Sequence, residues 1–300
     1  MTEKRPSSSP RIWQISAVLC LTVALTVFVA LKPMSVNFLK YLIWKTVNSA
    51  QHETGYVQTH GALIHYAAYG AGAPILLLHG GLADKLSWFS QLPWLVEAGR
   101  RVVLIDTRGH GNSTHGEQEL SYEIFAEDTL QVLDKLKIRR TDIVGWSDGG
   151  IIALLLALQA PERVGRIVAI SANFHPSGLI ADMPAAEDET YQQLRNKILA
   201  WLRGFLSPPN ENYATLEKEL NHLWQTAPLL NPADLHAILA PTLVIAGEND
   251  VIQLTHSGDL AQTLRYGKIE IVLGAGHAAP ITHANQINEL IASFLGIEIN

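Results

Sequence analysis

Cysteine is nearly absent from this chain: Cys20 is the single one among 300 residues. One thiol excludes a disulfide framework. Its place in an apolar N-terminal run also leaves the rest of the chain without a thiol nucleophile or a CxxC metal site. Basic clusters are missing too. No run of Lys or Arg exceeds two residues and the net charge is -6, so the electrostatic footprint of a nucleic-acid binder is lacking. Charged residues make up only 17% of the chain against 48% hydrophobic, too few for a disordered chain and enough apolar material for a buried core. No HExxH or HxH cluster occurs, and no glycine fingerprint follows a first strand. Neither a metal nor another cofactor is therefore expected. The mild acid excess says little about partners, and protein partners and oligomeric state are not readable.

What is present begins with a polar, basic tail, residues 1–11, containing Lys4, Arg5 and Arg11. Residues 12–31 follow, 20 residues without a charge between Arg11 and Lys32. At about 1.5 Å rise per residue such a run spans roughly 30 Å as a helix, the thickness of a bilayer's hydrocarbon core. The apolar part of a secretory signal is shorter, and no small-x-small cleavage site is evident. The expectation is a transmembrane signal anchor, with a cleaved secretory signal or a buried core helix as alternatives. Lysines and arginines lie on both sides, so the positive-inside rule barely decides orientation. A cytoplasmic tail with the domain exported is preferred. Residues 32–54 are read as a juxtamembrane segment. Within it Phe38, Tyr41, Ile43 and Trp44, mixed with Lys40 and Lys45, fit an interfacial helix or a helix packed on the domain equally well.

From about residue 55 to 300, short β-rich runs alternate with helical ones. That order implies a mostly parallel sheet with helices on both faces. Tyr56–Thr59 and Leu63–Ala68 read as a hairpin. Ile75–Leu78, Val102–Ile105, Asp142–Gly145, Arg166–Ile170, Thr242–Ala246 and Ile269–Leu273 read as strands. Ser121–Leu136 reads as an amphipathic helix capped by Ser121. Residues 173–236 break the alternation with helical stretches at Tyr191–Phe205 and Tyr213–Trp224. They read as a lid over the strand ends, with Trp201, Phe205 and Trp224 in its core and Glu187, Asp188 and Glu189 on a solvated face.

Residues 145–150 read GWSDGG, between a strand and a helix. Gly145, Ser147 and Gly149 fit a G-x-S-x-G nucleophile elbow. A serine on a strained turn needs small residues two before and two after it, and the helix N-terminus offers N–H donors. Such a hydroxyl needs a base from the same end of the sheet. His277, in GAGH directly after the last strand, is the candidate, ahead of His79, His110, His256 and His283. Asp250 in GEND is the orienting acid, with Glu248 as rival. The order Ser147, Asp250, His277 suits this fold. Two N–H donors for an oxyanion are expected from Asp148 and from Gly81, with Leu82 in reserve.

HGG at 79–81, DTRGHGNS at 106–113, GWSDGG at 145–150, GEND at 247–250 and GAGH at 274–277 together resemble the α/β-hydrolase-fold serine hydrolases. The elbow and the nearby PERV are similar to the valacyclovir-hydrolase-like branch. The resemblance implies an eight-stranded, mostly parallel sheet with a helical lid, ester cleavage through an acyl-enzyme, and structural roles for Asp106, Arg108 and His110. The N-terminal span departs from that soluble branch. A carboxylate at Asp148 could meet a cationic substrate group such as an amino-acyl ammonium, or it could cap or satisfy nearby backbone donors at the elbow. Thioester cleavage, perhydrolysis and C–C bond hydrolysis would use the same three residues, and a non-catalytic binding protein of this fold is a further reading. Epoxide and haloalkane hydrolysis are disfavoured, because those branches carry aspartate where this chain has Ser147.

Overall fold

The computed structural model of the chain describes residues 34–48, 52–180 and 213–299. The expected span over 12–31, Cys20 and the lid helix expected over 191–205 lie outside the described residues. Among the described residues no helix is long and apolar enough to cross a membrane.

A helix, α1 (Met34–Val47), leads into the antiparallel hairpin β1 (His52–Thr59) and β2 (Ala62–Tyr69). The strands β3 (Pro74–Leu78), β4 (Arg101–Ile105), β5 (Thr141–Trp146), β6 (Val164–Ile170), β7 (Thr242–Asn249) and β8 (Gly267–Gly276) follow. Among the described residues they form one eight-stranded sheet in the order β1-β2-β4-β3-β5-β6-β7-β8. From β4 to β8 all neighbours run parallel. The predicted strands are all present, each a residue or more longer than the sequence pattern indicated.

The central strands are apolar on both sides because helices cover both faces. In β3, Leu76 and Leu78 join one core layer, while Ile75 and Leu77 join the other. The first layer lies under α2 (Tyr122–Lys135) and α3 (Asp148–Gln159). The second lies under α1 and the C-terminal helix α4 (Ala284–Leu295). Ser121 caps α2 as its position implied, its hydroxyl accepting from the Ile124 N–H at 3.2 Å.

The chain runs outward from β3 to β4 and then crosses back to place β5 on the other side of β3. Open α/β sheets bind ligands at such a reversal, beyond the carboxyl ends of the two strands. The HGG loop leaves β3 there and the serine turn leaves β5.

Helix α1 occupies part of the segment read as juxtamembrane. It packs on the sheet through Tyr41 and Trp44, both buried, and through Phe38, whose ring meets that of Phe89 edge-on at 5.4 Å. Of the insertion, 173–180 and 213–236 are described. Its helix Tyr213–Thr226 buries Leu216, Leu220 and Leu223 against the first core layer.

Arg108 is the largest polar side chain in the interior. It is fully buried, gives two 2.8 Å bonds to Asp128, and donates to the carbonyls of Thr59, His60 and His115. It thus fastens the β1–β2 turn and the 106–115 loop to α2. Arg108→Met would strand the buried Asp128 carboxylate. A loss of about 3–5 kcal/mol is expected, read as a lower urea midpoint in equilibrium unfolding.

Candidate active site

Ser147 sits at the turn between β5 and α3 with φ 53° and ψ −118°. A non-glycine residue there is strained, and the strain persists only because the neighbours over-determine it. The glycines explain how. A Cβ at Gly149 would lie 2.1 Å from the Leu78 carbonyl oxygen, and one at Gly145 would lie 2.2 Å from that of Gly149. The helix is therefore pressed directly against the strand, and the tight turn projects the serine side chain.

Three side chains from three loops meet at this edge. His277 Nδ1 lies 2.7 Å from Asp250 Oδ1, and its Nε2 lies 3.0 Å from Ser147 Oγ. A carboxylate can only accept, so Nδ1 carries the proton and Nε2 is free to accept from the serine hydroxyl. Burial by itself would raise the Asp250 carboxyl. The hydrogen bond and charge of His277, with the Ser171 hydroxyl and the Ile252 N–H, outweigh burial and hold it below its ordinary value.

Two contributors were not read from the sequence. Ser171, directly after β6, donates to the second oxygen of Asp250. Trp146, the residue before the serine, donates from its indole N–H to the His277 carbonyl at 2.7 Å. The only available signal was position, each lying at the carboxyl end of its strand. Glu248, the rival acid, instead accepts from the Gly274 N–H at 2.8 Å and so holds the loop that carries His277. His256 stacks on Phe174 at 4.0 Å, and His283 bonds Thr282.

Among the described residues, the N–H groups of Gly81 and Asp148 have no protein acceptor. Leu82 is different, because its N–H is donated to His110 Nε2 at 3.1 Å. The N–H of Thr107 is donated to His79 Nε2 at 3.0 Å. Both imidazoles therefore carry their proton on Nδ1, and burial lowers the pKa of His79, favouring the neutral form this arrangement requires. Asp106 accepts from the backbone N–H groups of Lys85 and Asn112 and pairs with the Lys85 ammonium. The HGG loop is thus held from beneath by the 106–113 loop, which gives Asp106 and His110 the structural positions expected of them.

The Asp148 carboxylate is buried and already occupied. It accepts from the Tyr122 hydroxyl at 2.9 Å and from the Trp224 indole N–H at 3.0 Å. Burial raises its pKa despite these two donors. Both donors are side chains, from α2 and from the insertion, rather than the backbone donors at the elbow considered for Asp148. Through Trp224 they also tie the insertion to the turn that carries Ser147. Gly81 is wedged into the same corner, where a Cβ would come within 2.5 Å of both Asp148 and Trp224.

The sheet order and the elbow define the class of α/β-fold hydrolases. Comparison with known proteins places the chain more closely. The family profile described as alpha/beta hydrolase fold matches residues 73–216. A 2-hydroxymuconate semialdehyde hydrolase of Pseudomonas sp. (strain CF600) is 30% identical over 255 residues, covering 75% of this chain and 88% of that protein. The serine hydrolase BPHL of Mus musculus is 25% identical over 255 residues, covering 80% of this chain and 85% of its own. The solved structure of Est816, an N-acyl homoserine lactone degrading enzyme, superposes with a TM-score of 0.68 at 28% identity, covering 80% of this chain and all of that one. The chain belongs to the α/β-hydrolase-fold family and is a hydrolase.

Proposed function

We propose that the protein is a serine hydrolase that cleaves a small-molecule carboxylic ester through an acyl-enzyme. The observation that carries this reading is the single hydrogen-bonded line from Asp250 through His277 to Ser147. In this reading Ser147 Oγ attacks the acyl carbon while His277 Nε2 takes its proton. The oxyanion is met by the N–H groups of Gly81 and Asp148, each worth about 2.7–4 kcal/mol in sites of this kind. His277 then returns the proton to the leaving alcohol, and a water activated by the same imidazole releases the acid. Asp250 keeps the imidazole in the required tautomer and orientation.

C–C bond hydrolysis is the second reading, supported by the similarity to a 2-hydroxymuconate semialdehyde hydrolase. Thioester cleavage and perhydrolysis draw on the same residues. A fluorophosphonate probe is expected to label the protein and to fail on Ser147→Ala. Against a panel of p-nitrophenyl esters, thioesters and vinylogous diketones, the highest kcat/KM is expected for esters. Preference for the diketones would replace ester cleavage with the C–C reading. Absence of labelling would sink serine catalysis altogether.

Trp146→Phe keeps the ring against His277 and removes the indole donor. About a fivefold fall in kcat with little change in KM is expected, since loss of one hydrogen bond worth about 1 kcal/mol loosens the base. Steady-state kinetics on the preferred ester would check it.

We further propose that residues 12–31 anchor the protein in a membrane, with the domain exported. It rests on the uncharged length and on the basic tail before it. Resistance of the full chain to carbonate extraction from membranes is expected. Recovery as a soluble form beginning beyond residue 31, by N-terminal sequencing, would favour a cleaved signal instead.

A further inference from the structure

Helix α1 has two apolar faces. Phe38, Tyr41 and Trp44 turn toward the sheet. On the opposite side Leu39, Leu42, Ile43 and Val47 are exposed, at 53%, 39%, 59% and 78%. Positions 39, 43 and 47 succeed one another at four-residue steps and so align along the helix, with 42 beside them. Exposed apolar residues are ordinary when scattered singly, but a continuous stripe along one helix marks a contact surface. Lys40 and Lys45 border the stripe, one on each side. Lys45 leans back over the Tyr41 ring, its Nζ 5.7 Å from the centroid.

The chain upstream says what covers this stripe. The uncharged run ends at Leu31 and α1 begins at Met34. Even fully extended, that connection reaches only about 10 Å. If 12–31 crosses a bilayer, as proposed above, α1 starts within the headgroup layer. Its packed face is already taken by the sheet, so the opposite face is the one available to lipid. An apolar stripe with lysines on its borders matches that setting, the aliphatic side chains reaching toward the acyl chains and the ammonium groups toward lipid phosphates.

We propose that α1 is an interfacial helix, lying in the membrane surface with Leu39, Ile43 and Val47 toward the acyl chains, so that the domain rests on the bilayer through this helix. The proposal goes beyond anchoring, since a span on a loose tether would hold the domain away from lipid. It rests on the reading of 12–31 as a span, and the two are separable by experiment.

The full-length chain would be reconstituted in vesicles of phosphatidylcholine and phosphatidylglycerol and labelled with the environment-sensitive fluorophore NBD at one of three positions. These are native Cys20, and Ile43→Cys or Lys268→Cys in a Cys20→Ser background. Lys268 is exposed on β8, at the far edge of the sheet. Far-UV circular dichroism and an unchanged thermal midpoint would establish that each variant folds. With a spin label placed shallowly in the lipid, the probe at 43 is expected to be blue-shifted and quenched several-fold more than the probe at 268, which stays open to aqueous iodide. Quenching at 20 with none at 43 would keep the anchor and overturn the interfacial helix. A probe at 43 shielded from iodide yet unquenched by lipid would assign the stripe to protein, either residues 12–31 or a second copy, and would also overturn it. A probe at 20 that does not respond to lipid would remove the anchor and this proposal with it.

Discussion

Ser147→Ala is expected to lower kcat by roughly a million-fold while leaving the fold intact, the scale seen when a triad nucleophile is removed. The backbone explains why the fold survives. The Ser147 N–H donates to the Ile170 carbonyl, and the Ser147 carbonyl accepts from Gly150 and Ile151. None of these bonds involves the hydroxyl. The elbow glycines that force the turn are also untouched. What disappears is the atom 3.0 Å from His277 Nε2. Residual hydrolysis above the uncatalysed rate is expected on the proposed mechanism, because the N–H groups of Gly81 and Asp148 proposed to meet the oxyanion are untouched. Single-turnover kinetics on the preferred substrate, with denaturation curves for both proteins, would check both halves. A variant retaining a tenth of the wild-type kcat would mean that a different group performs the attack.

Asp250→Ala is expected to lower kcat by about 10⁴-fold. The carboxylate accepts from three donors: His277 Nδ1, the Ser171 hydroxyl and the Ile252 N–H. Its removal lets the imidazole turn and withdraws the charge that stabilises the imidazolium. Ser171→Ala removes only one of the three bonds, so a far smaller loss is expected from it. The same carboxylate makes a pH prediction. Its pKa is lower in the folded protein than in the unfolded chain, so its contribution to stability is present above the ordinary carboxylate range and is lost as pH falls through the folded value. The stability gap between wild type and Asp250→Ala should therefore narrow below about pH 4. Urea unfolding at neutral and acidic pH measures it, and a gap that widened in acid would contradict the assignment.

Much of this site was legible because its signals are local. An apolar run followed by G-x-S-x-G and a second apolar run contains the strand, the turn and the helix in one stretch. His277, Asp250 and Ser147 each come directly after a strand. Some helices escaped for an equally local reason. Leu92–Glu97 is too short to show a period, and Leu254–Thr263 buries His256 and Ser257 beside Leu260 and Ala261, so its inner face is only half apolar. In α1 the pattern was ambiguous, since VNFLKYLIWK is apolar on two sides and the residues alone do not say which side meets protein.

The linear chain was sufficient for the alternation of strands and helices, for the elbow and for the order of Ser147, Asp250 and His277, because period-two and period-3.6 patterns and turn glycines act over neighbours. The choice among equals needed the folded sheet. Trp146 reaches the His277 carbonyl across 131 residues, Trp224 reaches Asp148 across 76, and Ser171 reaches Asp250 across 79. So did the loss of the Leu82 N–H to His110 and the capture of Glu248 by the His277 loop. Such pairings follow from which strand ends lie side by side, a consequence of the order β4-β3-β5-β6-β7-β8. Hydrogen bonds select partners by distance and direction, and those quantities exist only once the sheet has brought remote loops to one edge.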